Sequence, residues 1–82
     1  MPGFHYVYIL VSESDPDRHY TGLTENLQRR LTEHNSGKNA HTSKHRPWHL
    51  ETAIAFRCRP KAIAFERYLK SHSGRAFATK LF

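Results

Sequence analysis

Six consecutive residues, Tyr6-Val7-Tyr8-Ile9-Leu10-Val11, are apolar or aromatic on both alternating faces, which predicts a central strand covered on each side. Ser12-Glu13-Ser14-Asp15-Pro16-Asp17 has turn chemistry, because serine and Asp-Pro favour tight reversals. His19 to Leu23 predicts a second strand, and the short spacing makes the pair a hairpin. Thr24 is placed to cap a helix that begins near Glu25 and runs to about Asn35, with Ser36-Gly37 as its stop. From Asn35 to Pro47 apolar residues almost vanish, so a solvated basic loop is expected. Trp48 to Phe56 alternates Trp48, Leu50, Thr52, Ile54 and Phe56 against His49, Glu51, Ala53 and Ala55, a strand with one greasy face. Pro60 suits the first turn of a helix running to about His72. Ser73-Gly74 then breaks the chain before a short final helix, Arg75 to Leu81. The order β-β-α-β-α-α describes an α+β fold on a small antiparallel sheet, a single domain over residues 1–82.

Composition narrows what such a domain does. At 82 residues there is room for one core and none for a separate cofactor-binding domain. A hydrophobic content of 38% separates the chain from a disordered tail. Lysine and arginine number 13 against 7 acidic residues, for a formal charge of +6. The charge is lopsided: residues 1–33 carry three basic and five acidic side chains (net −2), residues 34–82 carry ten and two (net +8). A basic half attracts phosphates, since each one neutralised releases condensed counterions. Nucleic acid is therefore the expected partner, ahead of a membrane surface, because the second half has no helix with a clean basic face and a greasy one. Cys58 alone excludes a disulfide framework. The Tyr6–Val11 run is too short to span a bilayer, and the N-terminal segment lacks the basic and small-residue signals of a secretory leader. A cytoplasmic, membrane-free protein without a small-molecule cofactor is expected.

Three clusters carry candidate chemistry. On a helical wheel at about 100° per residue, Leu27, Leu31 and His34 fall on one stripe, with Arg30 at its border and Arg29 facing solvent. On the second helix Glu66 falls inside the apolar arc of Ala62 and Leu69. A carboxylate there is costly unless paired or bound to metal, so it calls for an arginine, with Arg30 a candidate, or for a hard divalent cation. Tyr6 and Tyr8 share a strand face, and Tyr20 lies in the partner strand with Gly22 two residues on, where glycine marks a close approach or a bend.

In order and spacing these residues resemble the GIY-YIG endonuclease family, in particular its small stand-alone bacterial members. The resemblance rests on Val7-Tyr8-Ile9, Tyr20-Thr21-Gly22, Asn26 to Leu31, His34-Asn35-Ser36-Gly37-Lys38, and Ala62, Glu66 and Leu69-Lys70. It covers roughly residues 5 to 72. It implies a three-stranded antiparallel sheet flanked by helices, and a metal-dependent endonuclease acting on nucleic acid, DNA in preference to RNA. Tyr8 and Tyr20 match the tyrosines of the two motifs, and Arg30 matches the arginine that contacts the scissile phosphate. His34 matches a histidine that, in some members, works with a tyrosine to activate water. Glu66 matches the glutamate that holds one magnesium or manganese ion. The general base is Tyr8 or Tyr20, with Tyr8 and His34 the favoured pair. Lys38, Lys44, Arg46 and Lys70, together with Arg30, are assigned to phosphate contacts.

The chain departs from the family pattern in places. Tyr6 stands where the first motif has glycine, Thr21 where the second has isoleucine, and Leu23 near where some members carry a catalytic lysine. No asparagine follows the Glu66 helix. A nucleic-acid-binding module that no longer cuts is the alternative. A zinc site from His41 and His45, four apart, with Cys58 is a third reading, disfavoured because their segment does not look helical.

Overall fold

The computed structural model describes residues 3–81, the side chains of His72 and Leu81 excepted; residues 1, 2 and 82, the ends of the expected 1–82 span, lie outside the described residues. The elements are β1 (His5–Ser12), β2 (His19–Thr24), α1 (Leu27–Asn35), a 3₁₀ turn (Ser43–His45), β3 (Trp48–Phe56), α2 (Arg59–Lys70) and α3 (His72–Leu81). The strands form an antiparallel sheet in the order β2-β1-β3. Together with three helices they make the α+β fold expected from the sequence.

The central place of β1 explains its unbroken apolar run. One face, Val7 and Ile9, packs on Ala62 and Leu69 of α2, with Phe65, Phe77 and Ala78 around them. The other, Tyr8 and Leu10, packs with Trp48 against Leu27 and Leu31 of α1 and against Tyr20. Each large apolar side chain so buried contributes about 1.5–3 kcal/mol. Helices cover both faces, so both had to be greasy.

The strand β3 does not keep one greasy face. Ile9 pairs with Thr52 but Leu10 with Leu50, leaving Glu51 as an extra residue in a bulge. One extra residue reverses the side-chain alternation beyond it. Ile54 and Phe56 therefore lie on the Val7 face, while Trp48 and Leu50 lie on the Tyr8 face. Trp48 is buried there, and Leu50 is 41% exposed.

Three boundaries also differ from expectation. Thr24 is the last residue of β2, and its hydroxyl accepts the Asn26 backbone N–H at 3.1 Å. The cap of α1 is Asn26, whose Oδ1 accepts the Arg29 N–H at 3.0 Å; its amide oxygen competes for that role as well as a threonine does. The break between α2 and α3 falls at Ser71, not at Ser73-Gly74. The Ser71 hydroxyl accepts the Gly74 N–H, and Gly74 is required because a Cβ there would run into the Tyr68 carbonyl. The loop before β3 is mostly exposed but is anchored by a buried Thr42.

Candidate active site on the α1 face

Tyr8 is placed by register. It pairs with Gly22, and Leu10 pairs with Tyr20, so both tyrosines and the glycine share the face covered by α1. Without a side chain at position 22, the Tyr8 ring lies across β2. A Cβ on Gly22 would collide with the Tyr8 hydroxyl and approach the Tyr20 ring to 3.0 Å. The glycine marked as a close approach is the site's floor.

From α1, His34 is fully buried and presents both ring nitrogens to partners. Nε2 lies 3.0 Å from the Tyr8 hydroxyl and Nδ1 lies 2.9 Å from the Thr42 hydroxyl. The His34 and Tyr20 rings are 4.6 Å apart, and those of Tyr8 and Tyr20 are 6.2 Å apart. Arg30, one turn earlier, donates to Glu33 at 3.0 Å and lies near enough to the Tyr8 hydroxyl to act on its protonation. The spacing read off the wheel is therefore the geometry observed.

Burial sets the protonation of this cluster. Desolvation pushes the Tyr8 phenol up to about 12, against the pull of Arg30, with Tyr20 and Glu66 adding to the rise. His34 is held below its ordinary value by burial first and the Arg30 charge second. Arg30 is raised, chiefly by its bond to Glu33 and next by Tyr8. At neutral pH the site thus holds a neutral phenol, a neutral imidazole and a guanidinium cation.

Glu66 belongs to α2, yet its charge acts on Tyr8. Its side chain is 19% exposed and pairs with Lys70 at 3.2 Å, one turn on. Arg30 is thus not its ion partner, because Glu33 lies closer on the same helix. Lys70, expected at a phosphate, is in this structure the counter-charge of Glu66. Among the described residues no three His, Cys, Asp or Glu side chains converge to hold a metal, and His41 and His45 are exposed or half-exposed loop residues away from Cys58, the N-cap of α2. Glu66 offers one hard carboxylate, and both nitrogens of His34 are occupied. That donor set fits a hydrated hard divalent cation rather than a fully caged one.

The expected cations divide in two. Arg30 belongs to the tyrosine cluster, whereas Lys38 and Lys44 are exposed in the loop after α1. Arg46 lies over Gly37, in the left-handed region at φ +84, and its Nε donates to the Ser43 carbonyl at 2.9 Å. A groove of about 790 Å³ opens beside Tyr20 and Lys70, with Arg18, Thr21 and Arg75 on its walls. Two residues have structural roles that the sequence does not signal. Asn35 clamps α1 to β3, accepting the Trp48 N–H and donating to the Trp48 carbonyl at 2.9 Å. Thr42 supports His34, and no pattern in its polar neighbourhood signals that.

No helix among the described residues is long and apolar enough to cross a membrane. The GIY-YIG catalytic domain model matches residues 4–80. The UPF0213 protein HQ_3675A of Haloquadratum walsbyi is 36% identical over 74 residues, 89% of this chain and 81% of that protein. The UPF0213 protein BH0048 of Halalkalibacterium halodurans is 39% identical over 72 residues, 87% and 74% of the two chains. The solution NMR structure of the UPF0213 protein BH0048 from Bacillus halodurans superposes with a TM-score of 0.57 at 33% identity, over 95% of this chain and 84% of that one. On the family-model match over residues 4–80 and the identity to these relatives, the chain belongs to the GIY-YIG family.

Proposed function

We propose that this protein is a divalent-metal-dependent endonuclease that hydrolyses phosphodiester bonds in nucleic acid, DNA in preference to RNA, structured or damaged DNA included. The observation that carries the reading is the buried Tyr8–His34 hydrogen bond with Arg30 beside the phenol. Ionising a phenol held at about 12 costs about 7 kcal/mol at neutral pH. A free tyrosinate is thus a poor route, whereas a proton acceptor in contact with the hydroxyl lets the phenol pass its proton on as it takes one from water, so that no free tyrosinate forms. His34 is such an acceptor, because burial keeps it neutral.

In this mechanism the Tyr8 oxygen takes a proton from the attacking water as its own proton passes to Nε2 of His34. The water oxygen forms the new bond to phosphorus, the bond to the leaving oxygen breaks with its electron pair on that oxygen, which takes a proton from solvent, and His34 returns its own proton to solvent. Arg30 donates charge-assisted hydrogen bonds to the developing charge on the phosphate, and removing one such donor costs about 10²–10³ in rate. Glu66 is the residue that would hold one magnesium or manganese ion, which when bound would supply Lewis-acid polarisation of a phosphate oxygen. Lys38, Lys44 and Arg46 hold flanking phosphates in the loop, and Lys70 continues the path into the groove with Arg18 and Arg75.

The Glu66–Lys70 pair favours a second reading, a module that binds nucleic acid without cutting, in which Glu66 is a structural partner only. Incubation of supercoiled plasmid and a branched oligonucleotide with magnesium or manganese, comparing wild type with Glu66→Ala, separates them. Metal-dependent nicking that disappears in Glu66→Ala is expected. Gel shifts by both proteins with no cutting by either give the binding module instead.

A further inference from the structure

Thr42 is 1% exposed inside an otherwise polar and exposed segment. It is held on every polar atom. Its N–H donates to the Asn39 carbonyl at 3.2 Å, and its carbonyl accepts the indole N–H of Trp48 at 2.8 Å. The Thr42 hydroxyl lies 2.9 Å from Nδ1 of His34 and 3.5 Å from the Asn39 carbonyl oxygen. A hydroxyl has one proton to give, so its direction decides which nitrogen of His34 is bare.

The direction follows from satisfaction of the buried groups. Tyr8 keeps its proton at neutral pH. Of its polar neighbours among the described residues, Arg30 only donates, which leaves Nε2 of His34 as the acceptor. Nε2 is then unprotonated, and the single ring proton of neutral His34 sits on Nδ1. Nδ1–H donates to the Thr42 hydroxyl, which donates in turn to Asn39. Read this way no buried side-chain polar atom among the described residues lacks a partner.

We propose that Thr42 is a positioning residue of the site: its hydroxyl selects the Nδ1–H tautomer of His34 and so keeps Nε2 open for the Tyr8 proton. The proposal deepens the nuclease reading and rests on it for its catalytic consequence. Thr42 also lies between Lys38 and Arg46, so the loop assigned to phosphates is the one that sets the base.

The test is long-range proton–nitrogen NMR of the His34 ring in the full chain near neutral pH, for wild type, Thr42→Ser and Thr42→Val. Wild type and Thr42→Ser are expected to show Nδ1 protonated and Nε2 bare. Thr42→Val is expected to shift toward the Nε2–H form, with Thr42→Ala in its place if the valine variant fails to fold. In nicking assays the hydroxyl-free variant should lose about 10–100-fold in kcat with KM little changed, the usual size of such an outer partner, and Thr42→Ser should restore it. An Nε2–H ring in wild type, or an unchanged Nδ1–H ring without the hydroxyl, overturns the proposal. If no variant cuts and wild type does not cut either, the nuclease reading fails, while the ring spectra still decide the tautomer.

Discussion

The Tyr8 hydroxyl and Nε2 of His34 meet at 3.0 Å although 26 positions separate them in the chain. Tyr8 sits mid-strand in β1, and His34 lies in the last turn of α1. Their contact exists only because Leu27 and Leu31 seat α1 on the face that Tyr8 occupies. A buried polar pair is worth keeping only when both members are satisfied, and here the second nitrogen of the histidine is satisfied too.

Replacing the phenol tests that contact directly. Tyr8→Phe is expected to lower the nicking rate by about 10²–10⁴-fold, the usual weight of a general base. Its stability should also fall by about 1–3 kcal/mol, because Nε2 of the buried His34 is left without a partner. Tyr20→Phe should keep most of the activity. The opposite ranking of the two variants in single-turnover nicking would move the base to Tyr20.

Gly22 has no such freedom. Gly22→Ala places a methyl group against the Tyr8 hydroxyl and the Tyr20 ring in a packed interior. Overpacking of that kind costs about 1–3 kcal/mol, and it moves the phenol away from His34. A lowered midpoint in urea unfolding together with loss of nicking is expected. An alanine variant as stable and active as wild type would show that the floor of the site yields freely.

Acid acts through His34. An unfolded histidine titrates near 6.5, and in the fold His34 titrates lower because burial disfavours its charge. As pH falls below 6.5 the unfolded chain takes up the proton first, so this contribution to stability is full above 6.5 and is lost toward the folded value. His34→Gln should flatten the decline between neutral and acid pH in urea unfolding. Nicking by wild type should fall as pH nears the folded value, where a protonated His34 can no longer accept the Tyr8 proton. For Tyr8 the sign reverses: its raised value makes stability full below about 10 and lost as pH rises to about 12.

The two groups of lysines should separate by salt and by metal. Lys38→Ala with Lys44→Ala removes exposed loop charges, and the salt slope of binding should fall by about 0.9 for each phosphate that is no longer neutralised, with the metal requirement unchanged. Lys70→Met removes the counter-charge of Glu66 and should lower the manganese concentration for half-maximal nicking. A manganese titration that is identical in wild type and Lys70→Met would mean that Lys70 and the cation do not share Glu66.

Much of the fold was written in local pattern. The doubly apolar run at Tyr6–Val11 could only be a central strand, and the stripe of Leu27, Leu31 and His34 placed the histidine inward, because periodicity is a property of neighbours in the chain. The spacing of Arg30 and His34 on one helix face was likewise legible. Glycine between tyrosines pointed to a close approach, and the structure puts the Tyr8 hydroxyl there.

What tertiary structure alone decided concerns relations between segments. The bulge at Glu51 turns Trp48 to the opposite face from Ile54, and no alternation within β3 announces it, because the irregularity lies in pairing with β1. Glu66 answers to Lys70 and Arg30 to Glu33, since short helical spacing outcompetes a reach between helices. Thr42, one polar residue among many, becomes the partner of His34 only when the loop folds beneath Trp48. Local pattern set the inward residues of β1 and α1; the folded chain decided the faces of β3, the burial of Thr42 and which inward residues touch, because a hydrogen bond depends on positions that distant segments reach only by packing together.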